Sequence, residues 1–385
     1  MRIALLSDTY TPQVNGVSTV LRRMVEALGN AGHHPVVVAP AYPDTPPESR
    51  PDELRIPSVG FPPYPAIRLS LPALDRVARF LDTCRPDLVH VITEGPLGFV
   101  GRRYALEHRL PLVTSYHTHF PRYCRDYGVP TLEPAAWRYI RWFHGPARVV
   151  QTPGHEARSE LVAHGVTQAV IWGNGVDTRR FHHAKRSEVL RRRLGIADHQ
   201  TAVIHVGRLA AEKNLDVLIH AFTAARASLG ERAKFLIAGD GPLSERIAAR
   251  LPWALRFGFI PIERLAELYA ISDLCVLTSE TETCGLVALE AMASGVPVIA
   301  ADAGGFRDTV VHGVNGLRIA SRDPSAFAAA IVRLAMEPAS RRRLSTQARI
   351  TAVGRDSALE DVELLDQYRA LLGREPERDT WRAAS

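Results

Sequence analysis

The chain opens on an apolar run, "MRIALLSD", that ends in polar residues, passes through a glycine-bearing loop, "TYTPQVNGV", and enters "STVLRRMVEALGNAGH", where apolar positions recur with helical period. "HPVVVAP" then reads as a second strand. Residues 1–40 therefore predict a β-loop-α-β unit, with Gly29 and Gly32 at the helix end. The rhythm continues through "LDRVARFLDTCRPDLVHVIT" and "GFVGRRYALEHRLPLVTSYH", each a helix followed by a strand. Polar groups cluster where strands end: Ser7 and Asp8, Thr93 and Glu94, Ser115 to His119. In a doubly wound parallel sheet those ends are where ligands bind.

The rhythm breaks near "VIWGNGVDTRRF", and a polar helical stretch, "KRSEVLRRRLGI", precedes a fresh start. "TAVIHVGRLAAEKNLDVLIHAFTAA" repeats the order of strand, polar loop and helix, so a second α/β domain is expected to begin here. Its later strands read as "AKFLIAGDG", "ALRFGFI", "DLCVLTS", "VPVIAAD" and "GLRI". The last periodic segment, "SALEDVELLDQYRALLG", places Leu359, Val362, Leu365 and Tyr368 at helical spacing and is long enough to return to the first domain.

Two domains also follow from the length of 385 residues, beyond the size at which one core keeps growing. With 46% hydrophobic and 23% charged residues and no low-complexity tract, the composition is that of a globular chain. No apolar run reaches the roughly 18 residues of a membrane span, and "MRIALLSDTYTPQ" meets an acid and a proline too early for a secretory signal. Cys84, Cys124, Cys275 and Cys284 have no metal-ligating spacing, so a cytoplasmic chain with reduced thiols is expected. The net charge of +6 is mild, which with the lack of a reading motif disfavours nucleic acid. Arginines nevertheless alternate with aromatics in "GRRYALEHR", "FPRYCRDY" and "WRYIRWFHGPAR". That patch reads either as a solvated helix face or as a surface for anionic lipid or an acidic ligand.

Four stretches carry chemistry. In "GRLAAEKN" the strand "VIHVG" delivers Arg208 at its end, with Lys213 near the start of the next helix; two cations beside free helix amides suit a pyrophosphate, and an ordinary surface pair is the bland alternative. In "SETETCGLVALEAMASGVPVIA" Glu282 precedes a helix and Glu290 lies one to two turns inside it. Glu282 could be a simple cap, whereas Glu290 interrupts an apolar run where an unpartnered carboxylate is costly. In "TPQVNGVS" Gly16 allows close backbone approach, but neither a complete GxGxxG nor a GxxxxGK[ST] loop exists, which disfavours nicotinamide enzymes and P-loop NTPases. In "TSYHTHF" His117 and His119 alternate after a strand without further metal partners, so a sugar or phosphate contact is expected rather than zinc.

Taken together, the GR-x4-K segment, "AGDGP", the long run from "LYAISDLCVLTSETETCG" to "VPVIAADAGG", "VVHGVNGL", "GNGVDTRRF" and "YHTHF" resemble family 4 of the retaining nucleotide-sugar glycosyltransferases, over most of residues 1–320. The resemblance implies an α/β chain of the GT-B fold, two Rossmann-like domains facing across a cleft. It implies an N-terminal acceptor domain over 1–174, joined by a crossing helix from 361–385, and a nucleotide-sugar-binding domain over 175–360. By position, Arg208 and Lys213 would hold the pyrophosphate and stabilise the leaving nucleoside diphosphate. Glu290 would take the ribose hydroxyls and Glu282 the donor sugar, beside the backbone amides of Thr283, Cys284, Gly285 and Leu286. His117 would reach the donor sugar, Gly16 would lie by the phosphates or acceptor, and Phe259 would fall beside the base. No metal and no cofactor are implied, because Arg, Lys and a helix N-terminus serve instead.

The sequence departs from the family pattern at Cys284, where an aromatic is common, at the variable position His119, which is given no catalytic role, and at Asn174, where some relatives carry Arg. In "SDTYTPQVNGVSTVLRR", "SYHTHFPRY" and "WGNGVD" the chain resembles bacterial lipid and glycolipid mannosyl- and glucosyltransferases, a resemblance that implies work at the inner, cytoplasmic face of the cell membrane and would give the Arg/aromatic patch a role. The expectation is transfer of a hexose, mannose from GDP-mannose first and a sugar from UDP-glucose or another UDP-sugar second, to a lipid or glycan hydroxyl. Two rival readings are a glycoside hydrolase using Glu282 and Glu290 as its carboxylate pair, which leaves Arg208 and Lys213 without a task, and a scaffold without activity, which would not need all four charges.

Overall fold

The computed structural model describes residues 1–13, 15–43, 51–61, 64–71, 74–117, 121, 130–172, 175–282 and 284–374. His119, Cys124, Asn174 and Thr283, and most of "FPRYCRDY", lie outside the described residues. The chain forms two compact units, Met1–Trp172 with the segment from Asp361, and Gly173–Glu360.

The first unit is built on a sheet of β1 (Arg2–Leu6), β2 (His34–Pro40), β3 (Glu53–Ile56), β6 (Leu88–Val91), β7 (Leu112–Ser115), β8 (Val149–Thr152) and β9 (Ala169–Ile171), in the order β3-β2-β1-β6-β7-β8-β9 and parallel throughout. A hairpin of β4 (Ser58–Phe61) and β5 (Tyr64–Ser70), which the sequence pattern does not announce, lies between β3 and β6 in the chain. Successive side chains of a strand point to opposite faces, and both faces here are covered. Ala4 and Leu6 pack with Val77, Leu81, Val100, Tyr104 and Phe143 on one side. Ile3 and Leu5 pack with Val20, Leu21, Met24 and Leu28 of the helix Gly16–Asn30 on the other, together with Leu364, Leu365 and Tyr368.

The helix Ser357–Leu371 therefore presents Leu364, Leu365 and Tyr368 to that core, while Leu359 and Val362 are exposed. The expected apolar face is thus corrected: only Leu365 and Tyr368 of the four positions are buried. Tyr368 also donates or accepts at His90, whose Nδ1 lies 2.6 Å from the phenol and whose Nε2 lies 2.7 Å from Ser115 Oγ.

The second unit repeats the plan with β10 (Thr201–Val206), β11 (Ala233–Ala238), β12 (Leu255–Arg256), β13 (Leu274–Leu277), β14 (Val298–Ala301) and β15 (Gly316–Ile319), in the order β12-β11-β10-β13-β14-β15. The strand expected over "ALRFGFI" shortens to the two residues of β12 at the sheet edge. Counted within the unit, this order is 3-2-1-4-5-6, the doubly wound arrangement of parallel strands in which the order of strand addition reverses between the first and fourth strands. A crevice forms there because the connections leave to opposite sides. Here it falls between the ends of β10 and β13. Among the described residues no helix is long and apolar enough to cross a membrane.

Candidate functional site

Both segments that leave this switch point carry the charges expected from sequence. Beyond β10, the loop from Gly207 runs through the short 3-10 turn Ala211–Lys213 into the helix Leu215–Leu229. Beyond β13, the loop from Thr278 leads through Gly285, the N-cap, into the helix Leu286–Ala293. Polar residues of the second loop fix the backbone of the first. Thr278 donates to the Lys213 carbonyl at 2.9 Å, and the hydroxyls of Ser279 and Thr281 each donate to the Glu212 carbonyl at 3.2 Å.

That backbone bracing brings Lys213 Nζ to 2.9 Å from Glu282 Oε2. Both side chains are largely buried, 23% and 16% exposed, so the pair is little screened by water. Burial works to raise the Glu282 pKa, but the Lys213 ammonium and the amides of Gly285 and Cys284 outweigh it and hold the group below the usual range. Its Oε1 accepts from the N–H of Gly285, the N-cap residue, at 3.3 Å; it does not reach the first-turn amides, so the simple-cap reading does not describe it.

Glu290, on the second turn of that helix, behaves oppositely. Withdrawal from solvent pushes its pKa up to about 8; the Tyr269 hydroxyl and Arg180 work against that rise, and the Glu282 charge adds to it. Tyr269, on the helix Ile262–Ile271, places its hydroxyl 3.4 Å from Glu290 Oε2 and 3.1 Å from the Val287 carbonyl. His205 on β10, hydrogen-bonded through Nδ1 to the Val276 carbonyl at 2.8 Å, is pushed down to about 4 by burial, with the Lys213 charge adding to the shift, which keeps it neutral.

Arg208 follows Gly207 directly and faces Glu212 at 3.7 Å, with 40% of its side chain exposed. Its loop is buttressed by "AGDGP". Leu209 N–H donates to the Asp240 carbonyl and Leu243 N–H to the Leu209 carbonyl, both at 2.9 Å. Gly239 must be glycine, since its φ is +139° and a Cβ there would stand 1.9 Å from the Gly207 carbonyl oxygen. Leu286 opens the helix, and Cys284 is buried beside Glu282. Phe259 stands beyond the edge strand β12 and is 66% exposed.

Sequence reasoning gave no role to three supports of this cluster. Tyr269 sits in the periodic stretch "LYAISD", where its spacing marks it as core and nothing more. Gly304 approaches so closely that a Cβ would lie 2.3 Å from the Glu282 carbonyl oxygen, and Gly305 N–H donates to that same oxygen at 2.7 Å. Thr278 looks from sequence like the end of a strand. The paired glycines were the one signal that could have been read, because a Gly-Gly after a buried strand marks close backbone approach.

Gly16 and His117 belong to the first unit. Gly16 opens its helix behind Asn15, whose side chain accepts from Ser18 N–H at 2.8 Å while Ser18 Oγ accepts from Asn15 N–H at 3.0 Å, a reciprocal capping box. Among the described residues, apart from its chain neighbours and its own helix backbone, no atom lies within 4 Å of where a Gly16 Cβ would be, which leaves the backbone open to approach. The preceding loop is braced by Thr9 and Tyr42, both donating to Gln13 Oε1 at 3.0 Å. His117 follows β7; burial pushes its pKa down to about 4, and its Nε2 has no hydrogen-bond partner among the described residues. At the switch point of this sheet, Asp8 accepts from Leu97 N–H at 3.0 Å and from Thr93 at 2.8 Å, so a carboxylate of the chain itself fills the N-terminus of the helix Pro96–Glu107.

Comparison with known proteins agrees with this two-unit plan. Residues 14–180 match the family model described as Glycosyltransferase Family 4, and residues 186–351 that of Glycosyl transferases group 1. The chain is 36% identical to a GDP-mannose-dependent alpha-mannosyltransferase of Mycobacterium tuberculosis, over 97% of this chain and 98% of that one. It is 28% identical to an alpha-monoglucosyldiacylglycerol synthase of Streptococcus pneumoniae, over 78% and 71% of the two chains. In fold it is similar to the sucrose-phosphate synthase of Thermosynechococcus elongatus, with a TM-score of 0.81 at 22% identity over 97% and 99% of the chains. Matched by family models in both units and by a relative alike along nearly its whole length, the chain belongs to glycosyltransferase family 4.

Proposed function

We propose that this glycosyltransferase moves mannose from GDP-mannose, with retention of configuration, to a hydroxyl of a lipid or glycan. The observation that carries the donor is the 36% identity to a GDP-mannose-dependent relative along almost the entire chain. The chemistry is assigned to the cluster at the ends of β10 and β13. Arg208, Lys213 and the first-turn amides of the helix Leu286–Ala293 take up the charge that grows on the diphosphate as its bond to the sugar C1 breaks. The acceptor oxygen bonds C1 on the same face, and its proton passes to the departing diphosphate. Glu282 holds the sugar hydroxyls and Glu290 the ribose hydroxyls. In this reading no metal or cofactor takes part, and full turnover in the presence of a chelator is the expected check.

A hydrolytic role for the two carboxylates is less economical. The opposite pKa shifts of Glu282 and Glu290 resemble an acid paired with a nucleophile. Lys213 accounts for one shift and burial for the other, with no glycoside needed.

The acceptor side is assigned to the first unit, with Gly16 at its open loop. The helix Glu133–His144 bears exposed Arg138, Arg141, Tyr139 and Trp142. Arg102 lies 4.1 Å over the Trp142 ring, and Phe99 stacks on it at 6.2 Å. Cations interleaved with exposed aromatics suit an anionic bilayer surface, which would hold the chain peripherally where a lipid acceptor resides. Sedimentation with phosphatidylglycerol vesicles but not phosphatidylcholine vesicles, lost in Trp142→Ala, tests that face.

The donor is tested by thermal shift and donor hydrolysis with GDP-mannose, UDP-glucose, UDP-galactose and UDP-N-acetylglucosamine. Response to GDP-mannose alone is expected. Response to UDP-glucose instead would move the assignment to the second donor considered above.

A further inference from the structure

We propose that Tyr269 is a positioning residue of the nucleotide site, holding Glu290 in the orientation and ionisation in which it accepts hydrogen bonds from a ribose diol. The proposal rests on the reading of Glu290 as the ribose contact.

The geometry is that of one phenol between two acceptors. Tyr269 is fully buried in the core of the second unit, fixed edge-on against Phe181 with ring centroids 5.9 Å apart. Its hydroxyl therefore cannot wander, and it lies 3.1 Å from the Val287 carbonyl and 3.4 Å from Glu290 Oε2. A phenol has one proton to give and lone pairs to receive one. When Glu290 is neutral, the phenol can donate to Val287 and accept from the carboxyl. When Glu290 is ionised, the proton can turn to the carboxylate instead. The same side chain thus supports both states without a change of rotamer.

A ribose diol distinguishes those states. Two adjacent hydroxyls donate best to the two oxygens of a carboxylate, and a neutral carboxyl has only one good acceptor left. Four groups face Glu290 from the elements around it: Tyr269 from its helix, Cys275 from β13, Glu282 from the following loop, and Arg180 from the segment before the first strand of the unit. Burial raises both the Tyr269 phenol and the Cys275 thiol, so neither titrates near neutrality. Glu282 is held ionised by Lys213. Glu290, pushed up to about 8, is the group among these that changes charge in the working range, and the Tyr269 hydroxyl donates to it.

The test compares the binding of GDP and UDP with that of their 2′,3′-dideoxy forms, by calorimetry on the full chain from pH 6 to 9.5, for the wild type and Tyr269→Phe. The wild type should prefer the ribonucleotide of whichever base it binds by about tenfold or more, a preference that grows as pH rises through about 8. Tyr269→Phe should bind the dideoxy form within about twofold of wild type, lose about tenfold on the ribonucleotide, and shift the pH midpoint upward. A variant that keeps the wild-type preference and midpoint overturns the role of Tyr269 and leaves Glu290 in place. A wild type that binds both forms equally overturns the ribose reading beneath it as well. Should Tyr269→Phe not fold, the wild-type pH profile still decides, because a ribose preference independent of pH overturns the proposal.

Discussion

Lys213 Nζ lies 2.9 Å from Glu282 Oε2, so two groups assigned to a nucleotide sugar are also each other's partner. A diphosphate competing for the ammonium would loosen Glu282 at the moment the sugar hydroxyls need it. Lys213→Ala is expected to lower turnover by about 2 to 4 kcal/mol of transition-state stabilisation. It should also lower the melting temperature, because a largely buried carboxylate loses its counter-charge. Adding Glu282→Gln should recover the melting temperature and not the turnover. Near-normal turnover in folded Lys213→Ala would remove Lys213 from the site.

Glu290 predicts a pH dependence of stability with a definite sign. Its folded pKa of about 8 lies above the ordinary value of 4.5, so the folded state favours the neutral form. The stability tied to that form is complete below the unfolded pKa and is lost as pH rises through the folded one. Glu290→Gln, neutral at every pH, should therefore gain in melting temperature over wild type between pH 5 and 8 and hold that gain above it. A difference that stays flat from pH 5 to 9 would contradict the raised pKa.

Gly304 offers a way to move Glu282 without touching its charge. A Cβ at this position meets the Glu282 carbonyl oxygen at 2.3 Å, where φ is already +53°. Gly304→Ala should displace the Glu282 loop, weaken donor binding by about tenfold or more, and cost about 1 to 3 kcal/mol of stability. Gly29→Ala is the control, since among the described residues nothing outside its chain neighbours and own helix backbone lies within 4 Å of an added Cβ and the site is helical. It should leave donor binding unchanged and raise the melting temperature slightly.

Tyr368 joins the C-terminal segment to the first unit through the buried ring of His90. Tyr368→Phe removes one hydroxyl and strands His90 Nδ1, at about 1 to 3 kcal/mol. Tyr368→Ala also empties a fully buried site, at about 3 to 5 kcal/mol. Equilibrium unfolding in urea should rank wild type, Phe and Ala in that order. An Ala variant as stable as wild type would mean the segment from Asp361 contributes little to this core.

Much of the architecture is legible because strands and helices are encoded locally. Apolar runs ending in Ser, Asp, Thr or His gave β1, β6, β7 and β13 their place, and the β-α-β alternation leaves a parallel sheet as the economical outcome. What failed were features that local pattern does not determine. Leu359 and Val362 share a helical period with Leu365 and Tyr368, yet the helix is rotated so that Leu364 replaces them against the core. "ALRFGFI" is apolar enough for a long strand, but at the sheet edge regular pairing with β11 stops after Leu255 and Arg256, and Phe257 and Gly258 add single backbone hydrogen bonds to Ile237 and Gly239.

The candidate site divides along the same line. The sequence by itself determined that Glu282 precedes a helix and Glu290 lies within it, and that Arg208 and Lys213 flank a loop after a strand, since helix period and strand ends are short-range properties. Only the tertiary structure decided that Lys213 meets Glu282 across 69 positions, that Tyr269 reaches Glu290 across 21, and that Gly304 underlies the Glu282 carbonyl. Those meetings depend on strand order, which sets β13 beside β10 and its loop over the Lys213 backbone. No local period carries that information, because which strands become neighbours is settled by how the whole chain buries its apolar faces.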